Sequence, residues 1–375
     1  MKLDDEKWPA EFRERLLQWF TGAQRDLPWR KTRDPYSIWI SEVMLQQTQV
    51  KTVLKYYSRF LQAFPDVETL ARASQQQVLK IWEGLGYYAR ARNLHKAAKY
   101  MVEHLGARIP STYDELRRIP GIGEYTAAAV ASIAFGEPRA AVDGNVRRVL
   151  CRIFRFEEDV HSQKARDALQ AYADRLLSPD RPGDFNQAMM ELGATLCTPR
   201  KPKCLLCPVS RFCRARLELD DPAMLPLKRQ TRAVPHYRVA VGIIWDEGYI
   251  FIDRRDENAM LGGLWEFPGG KIENGETAQE AVRREIKEEL DLDIEVGDFY
   301  MEVRHAYSHF KITMYVYHCL YKGGEPRLTA ARDWRWVKPE ELRFYPFAAA
   351  TQKVIRRLES EFCKPPERRP AAGRG

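Results

Sequence analysis

The sequence predicts a multidomain chain, an all-α first part followed by a smaller α+β part. Three observations carry that reading. At 375 residues the chain exceeds what one ordinary core accommodates. Apolar residues recur at helical spacing through its first half, up to a cluster of four cysteines. Beyond a stretch rich in acids, prolines and basic residues, the period changes to the alternation of strands.

The helical part begins near Trp8. Ile38, Leu45, Val53, Tyr56 and Phe60 hold helical spacing, and further helices are expected at 74–83, 90–104, 111–118, 124–135, 144–153, 163–177 and 184–195. Phe64-Pro65, Pro110-Ser111 and Pro179-Asp180 punctuate them. This domain is drawn as 1–216, with a linker at 217–235. A second domain, 236–357, opens with the alternating run Tyr237–Trp245, a turn at Asp246-Glu247-Gly248 and a returning strand, Tyr249–Ile252. Strands at 299–304, 311–320 and 334–337 and a helix at 277–290 complete it. Residues 358–375 are expected to form a disordered tail.

Composition narrows the class. The longest clean apolar run, Ala127–Phe135, is too short to cross a bilayer, and the first residues carry no apolar signal core. A cytoplasmic location without membrane partners is therefore expected. The net charge of +8 suits a polyanion, although many basic proteins bind none. Seven cysteines do not suit a disulfide framework. Four of them, Cys197, Cys204, Cys207 and Cys213, form the spacing Cys-x6-Cys-x2-Cys-x5-Cys, which can hold zinc or an iron–sulfur cluster. Only one Cys-x2-Cys knuckle is present, where zinc ribbons show two, so the pattern leans to iron–sulfur. Arg200, Lys201, Lys203, Arg211 and Arg214 around it are candidates for phosphate.

Two segments carry the chemistry. In Leu116–Ala128, Gly121 and Gly123 are expected to form a tight turn between helices whose free amides face a phosphate; an ordinary helix–helix loop is the plainer reading. In Val142-Asp143-Gly144-Asn145-Val146-Arg147-Arg148, Asp143 starts a helix and reads first as an N-cap. Arg147 and Arg148 are candidate phosphate contacts. The second carboxyl is Glu42. It shares a helix face with Ile38, Leu45 and Gln49, and a mostly apolar face would bury it, raise its pKa and keep a proton available for general acid catalysis. A solvated surface glutamate is the alternative.

The Cys spacing and the Gly121–Gly123 hairpin resemble the helix-hairpin-helix, endonuclease-III-type glycosylase superfamily, whose cysteine loop ligates a [4Fe–4S] cluster. Leu27–Arg30, Ser41–Thr48, Trp82–Tyr88, Gly121–Thr126 and Val142–Asn145, taken with that loop, resemble the adenine DNA glycosylases, the MutY family. The resemblance implies base-excision repair of adenine mispaired with oxidised guanine, or guanine, in duplex DNA, by flipping the adenine out of the stack. It implies Glu42 as general acid, Asp143 as stabiliser of the sugar cation and Asn145 as its support. Trp29, Arg30 and Tyr125 are expected around the adenine, with Gln47, Thr48, Leu85 and Tyr87 wedged into the stack. Tyr125 stands where glycosylase/lyases carry a nucleophilic lysine, which implies base removal without strand cutting. The resemblance further implies a monomer, with repair or replication proteins docking at the linker.

Gly270-x5-Glu276-x7-Arg284-Glu285-Ile286-x-Glu288-Glu289 resembles the Nudix box, in which helix carboxylates hold a divalent metal against a diphosphate, with Asp291 in place of the late glycine. In the adenine glycosylases such a domain reads oxidised guanine, which points to Tyr307, Ser308 and His309, with Ser308 bonding the lesion. Residual hydrolysis of oxidised nucleoside triphosphates is the second reading of this domain. A pyrimidine glycosylase/lyase fused to a Nudix module lacks the lysine it needs at 125. A non-enzymatic DNA-binding protein leaves Glu42 and Asp143 unexplained.

Overall fold

A computed structural model describes residues 8–227, 234–329 and 331–362. They divide into two compact units, one drawn from Met1–Arg72 and Asn93–Thr231, the other from Ala73–Arg92 and Arg232–Gly375. The helices are α1 (Trp8–Ala23), α2 (Pro35–Leu45), α3 (Val50–Ala63), α4 (Val67–Arg72), α5 (Gln75–Trp82), α6 (Ala89–Leu105), α7 (Tyr113–Arg117), α8 (Glu124–Phe135), α9 (Gly144–Phe154), α10 (Gln163–Leu176), α11 (Pro182–Thr195) and α12 (Arg214–Glu218).

The single helical stretch read at 38–60 is two helices. Residues 46–49 break it: Gln47 adopts φ +55°, and the Gln46 side chain donates to Thr126 Oγ1 at 2.9 Å. The break follows from a left-handed residue that cannot continue a right-handed helix.

One core of the first unit joins α1, α9, α10 and α11 through Phe12, Leu16, Leu150, Leu169, Phe185 and Leu192. α11 runs close to its neighbours because it offers glycine at both ends. A Cβ at Gly183 would lie 2.6 Å from Ser132 O in α8, and one at Gly193 would lie 2.6 Å from Asn145 Cβ in α9. Gly183 sets the approach of α11 to α8, and Gly193 sets its approach to the start of α9.

The second unit is a seven-stranded mixed sheet with a helix on each face. Its strands are β1 (His236–Asp246), β2 (Tyr249–Arg255), β3 (Trp265–Glu266), β4 (Gly269–Lys271), β5 (Asp293–Ala306), β6 (Lys311–Gly323) and β7 (Ala331–Val337). The order is β3-β2-β1-β6-β5, with β4 on β1 and β7 on β2, and only the β1–β6 pair is parallel. α13 (Ala278–Leu290) covers one face through Val282, Ile286 and Leu290. α14 (Thr351–Phe362) covers the other through Val354, Ile355 and Leu358.

Three boundaries differ from the sequence expectation. Residues 217–227 are ordered: α12 runs to Glu218, and buried Leu225 accepts a hydrogen bond from Arg152. Residues 358–362, expected in the tail, instead finish α14 around buried Leu358; positions from 363 lie outside the described residues, as do 228–233 of the expected linker. Segment 73–92 joins the second unit. Trp265 Nε1 donates to Gln76 Oε1 at 2.8 Å, Lys80 Nζ to Tyr345 O at 2.9 Å, and Phe347 N and Gln352 Nε2 to Glu83 Oε1 at 2.8 and 2.6 Å. These partners lie far away in sequence, so periodicity could not reveal them.

Gly193→Ala is expected to destabilise the chain by about 1–3 kcal/mol, since an added methyl must displace α9. Chemical denaturation measures it; unchanged stability would remove the close-approach argument.

Candidate active site

α2 begins at Pro35, with Asp34 as N-cap accepting from Ser37 N at 2.8 Å. Its apolar sequence buries it on nearly every side, and Glu42 goes with it, only 5% exposed. Burial pushes the Glu42 carboxyl up to about 7. The nearby Asp143 charge adds to the rise, while the Tyr125 hydroxyl and the Arg30 guanidinium oppose it. Tyr125, in the first turn of α8, donates from its hydroxyl to Glu42 Oε2 at 2.5 Å and lies 3.6 Å from Met190 Sδ. Burial, then Glu42 and Asp143, hold the Tyr125 phenol well above its ordinary range, so it remains a donor.

Asp143 is the N-cap of α9, as its position in the sequence suggested. It accepts from Val146 N at 2.7 Å through Oδ1 and from Asn145 Nδ2 at 2.9 Å through Oδ2. Burial raises its pKa, and these hydrogen bonds counter the rise. Asn145 is oriented in turn by Arg148, whose Nη2 donates to Asn145 Oδ1 at 2.9 Å and Gly193 O at 2.7 Å. Arg148 Nε donates to Cys197 O at 2.8 Å. Arg148 thus faces inward rather than toward a phosphate, a correction that follows from its three protein acceptors.

Arg30 and Trp29 lie on the short turn Pro28–Arg30. Trp29 is buried edge-on to Tyr57 at 5.3 Å. Arg30 Nη2 donates to Glu191 Oε2 at 2.8 Å, and Arg25 binds both oxygens of the same carboxylate at 2.7 Å. Burial alone would raise the Glu191 pKa, but the two guanidinia hold it below its ordinary value. Sequence reasoning missed Glu191. The available signal was an acid amid the apolar residues of α11, Ala188, Met189 and Leu192.

Of the hairpin glycines, Gly121 has φ +90°, and a Cβ there would meet Asn93 O at 2.9 Å. Gly123 is different: it caps α8 with φ −84° and has open space beside it, so its conformation does not demand glycine. Gln47 is exposed, Thr48 and Arg147 are half-buried. Leu85 does not fit the wedge expected of it, being only 5% exposed. In the second unit Tyr87, with φ +51°, donates from its hydroxyl to Ser308 Oγ and meets the His309 ring edge-on at 6.5 Å. Tyr307 is stacked on Phe310 at 4.6 Å and packs against the sheet core, which makes it an anchor of its loop.

The four clustered cysteines are free thiols that line one small pocket with Arg152 and Leu196. Among the described residues no three His, Cys, Asp or Glu side chains group tightly enough for one metal ion. Four cysteines around one pocket are a donor set that an iron–sulfur cluster takes. Arg152, fully buried, donates to Cys197 Sγ at 3.2 Å and to the carbonyls of Thr198, Pro199 and Leu225. A buried cation whose hydrogen bonds end on sulfur and carbonyls suits an anionic thiolate-bound group. Of the basic residues read as facing phosphate here, Arg211 pairs with Glu11 and Arg214 with Glu218.

Residues 40–174 match the HhH-GPD superfamily of base excision DNA repair proteins, 197–213 the iron-sulfur binding domain of endonuclease III, and 240–357 the NUDIX domain. The adenine DNA glycosylase of Rattus norvegicus is 38% identical over 93% of this chain and 78% of its own length. That of Schizosaccharomyces pombe is 32% identical over 88% and 86%. The chain belongs to the adenine DNA glycosylase family. It is accordingly a base-excision-repair glycosylase, a hydrolase of N-glycosyl bonds, with a [4Fe–4S] cluster whose ligands the four cysteines fit. A solved thermostable thymine-DNA glycosylase is 33% identical, with TM-score 0.52, covering 56% of this chain and 97% of that one. No helix among the described residues is long and apolar enough to cross a membrane.

The raised pKa of Glu42 has a stability consequence. The folded chain binds this proton more tightly than the unfolded one, so stability falls as pH rises between 4.5 and about 7. The displacement corresponds to about 3 kcal/mol above that window. Glu42→Gln is therefore expected to be more stable than wild type at pH 8 and level with it near pH 4.5, measured by chemical denaturation at both pH values. Equal stability at pH 8 would refute the burial argument.

Proposed function

We propose that the chain removes adenine paired with oxidised guanine in duplex DNA, without cutting the strand, and that Glu42 and Asp143 carry the reaction. The observation that carries this reading is one side chain, Tyr125, bonded to Glu42 and in the electrostatic field of Asp143. The two carboxyls belong to one site although they are distant in sequence.

The adenine enters the site flipped from the stack, since its glycosidic bond is unreachable within the duplex. Glu42, protonated near neutral pH, gives its proton to the five-membered ring of the adenine. The C1′–N9 bond then breaks and its electron pair leaves with the base. Asp143 must be anionic to stabilise the sugar cation, and the hydrogen bonds from Val146 and Asn145 favour that form. Water adds to C1′ and gives up its proton to a carboxylate, leaving an abasic site. Tyr125 offers no amine for a Schiff base, which supports hydrolysis without lyase chemistry. Cys197, Cys204, Cys207 and Cys213 would hold the cluster, which would cross-link their loop. Trp29, Arg30 and Glu191 are assigned to the adenine pocket, Gln47, Thr48, Tyr87 and the Gly121 hairpin to DNA, and Ser308 with His309 to the oxidised base. The substrate places the enzyme with the chromosome, consistent with a cytoplasmic protein.

Single-turnover excision on duplexes with adenine opposite oxidised guanine, with alkali added afterwards, tests the proposal. The rate is expected to decline as pH rises through about 7, where Glu42 loses its proton. Glu42→Gln is expected to lower the rate by about a hundredfold or more, as is Asp143→Asn. Strand cutting before alkali, or near-normal excision by Glu42→Gln, would refute the assignment.

A further inference from the structure

Tyr87 meets the loop read as facing the oxidised base through two contacts, its hydroxyl to Ser308 Oγ and its ring edge-on to His309. Ser308 and His309 are both exposed. A hydrogen bond open to water contributes little, so these contacts alone do not fix the spacing of the two loops. Tyr87 also holds φ +51°, after Gly84 at +92° and Gly86 at +76°. A side-chain-bearing residue stays in that region when its surroundings hold it there.

Glu83, directly after α5, supplies a better-protected tie, its side chain 16% exposed. Oε1 accepts from Phe347 N at 2.8 Å and from Gln352 Nε2 at 2.6 Å, while Oε2 pairs with Lys80 at 2.8 Å. Tyr88 joins the same stretch: its hydroxyl donates to Phe347 O and accepts from Gly84 N, both at 3.3 Å. Trp82 Nε1 donates to Gly86 O at 3.0 Å and closes the turn before Tyr87. The Tyr87 loop is thus built on residues 345–352. The Ser308 loop is built beside the same residues. Lys353, next to Gln352 in α14, donates to Arg304 O at 2.9 Å on β5. Tyr307 packs on the core that contains Phe347 and Ala350. The contacts form a closed circuit, from Glu83 to Gln352, Lys353 to Arg304, along the hairpin to Ser308, and back to Tyr87.

We propose that Glu83 is a positioning residue that sets Tyr87 against Ser308, and that it governs selectivity for the base opposite adenine rather than the rate of adenine removal. The inference rests on the assignment of Tyr87, Ser308 and His309 made under the proposed function. Phe347 is fully buried, so its N–H has no water to turn to when the carboxylate is removed. A charged acceptor also holds its donors more strongly than a neutral one. The hydrogen bonds of Glu83 end within the second unit, whereas Glu42 and Asp143 are held by Tyr125, Val146 and Asn145. Loss of Glu83 therefore disturbs the reading of the opposite base and spares the two carboxyls.

The test is single-turnover excision by the full, cluster-loaded chain, titrated against two duplexes, adenine opposite oxidised guanine and adenine opposite guanine. Glu83→Ala is expected to lower the preference for the oxidised pair about tenfold, as two hydrogen bonds to a charged acceptor are lost. The loss is expected in half-saturating concentration, with the saturated rate on each duplex nearly unchanged. Glu83→Gln keeps an oxygen for Phe347 N and is expected to retain most of the preference. Gln352→Leu is expected to lower it less, and to add little in the Glu83→Ala background. A folded Glu83→Ala with the wild-type preference overturns the proposal, as does an equal fall in saturated rate on both duplexes. If Glu83→Ala does not fold, Gln352→Leu decides: a lowered preference supports the proposal, and an unchanged one overturns it. A wild type that treats both duplexes alike refutes the substrate assignment itself, an outcome distinct from a preference that survives the loss of Glu83.

Discussion

An ionised carboxyl withdrawn from water is costly unless something compensates it, and the helical unit is organised around holding Glu42 in that condition. The apolar faces of α2 supply the burial, and Tyr125 from α8 supplies a single hydrogen bond. One donor is too little to stabilise the anion fully, so the proton stays on the carboxyl near neutrality. Asp143 is raised by burial as well, but more donors counter the rise. A helix N-terminus and the Asn145 amide aim donors at it, favouring its charge. Burial raises both carboxyls, but more donors face Asp143 than Glu42, an arrangement suited to acid catalysis on one side and cation stabilisation on the other.

Glu191 shows a third way to bury a carboxylate in the same unit. Two guanidinia, from Arg25 and Arg30, satisfy it, and it remains ionised. Arg30 is thus engaged by Glu191 while its charge also reaches Glu42. The contrast among Glu42, Asp143 and Glu191 follows from the number and charge of their donors rather than from burial itself.

Much of this was legible in the sequence, and the limits have physical causes. Asp143 could be read as a cap because capping depends on residues three apart. Glu42 stood out because a lone acid interrupts an apolar helix face. The Cys spacing is local, so the loop could be recognised. Arg148 and Glu191 were misread or missed because their roles depend on partners far away in sequence, Cys197 and Gly193 for one, Arg25 and Arg30 for the other. The break at Gln47 escaped because helical periodicity on either side of a short turn can remain in phase. In the second unit the β1–β6 pairing and the two short strands β3 and β4 lay beyond local patterning.

The membership of 73–92 in the sheet-containing unit bears on how the chain comes apart. Because Gln76, Lys80 and Glu83 are bonded to Trp265, Tyr345 and Phe347, a protease that nicks the backbone between 217 and 235 does not free two independent fragments. The shorter piece stays clasped by a helix belonging covalently to the longer one, and the nicked protein travels as a single particle on a sizing column until a denaturant separates it.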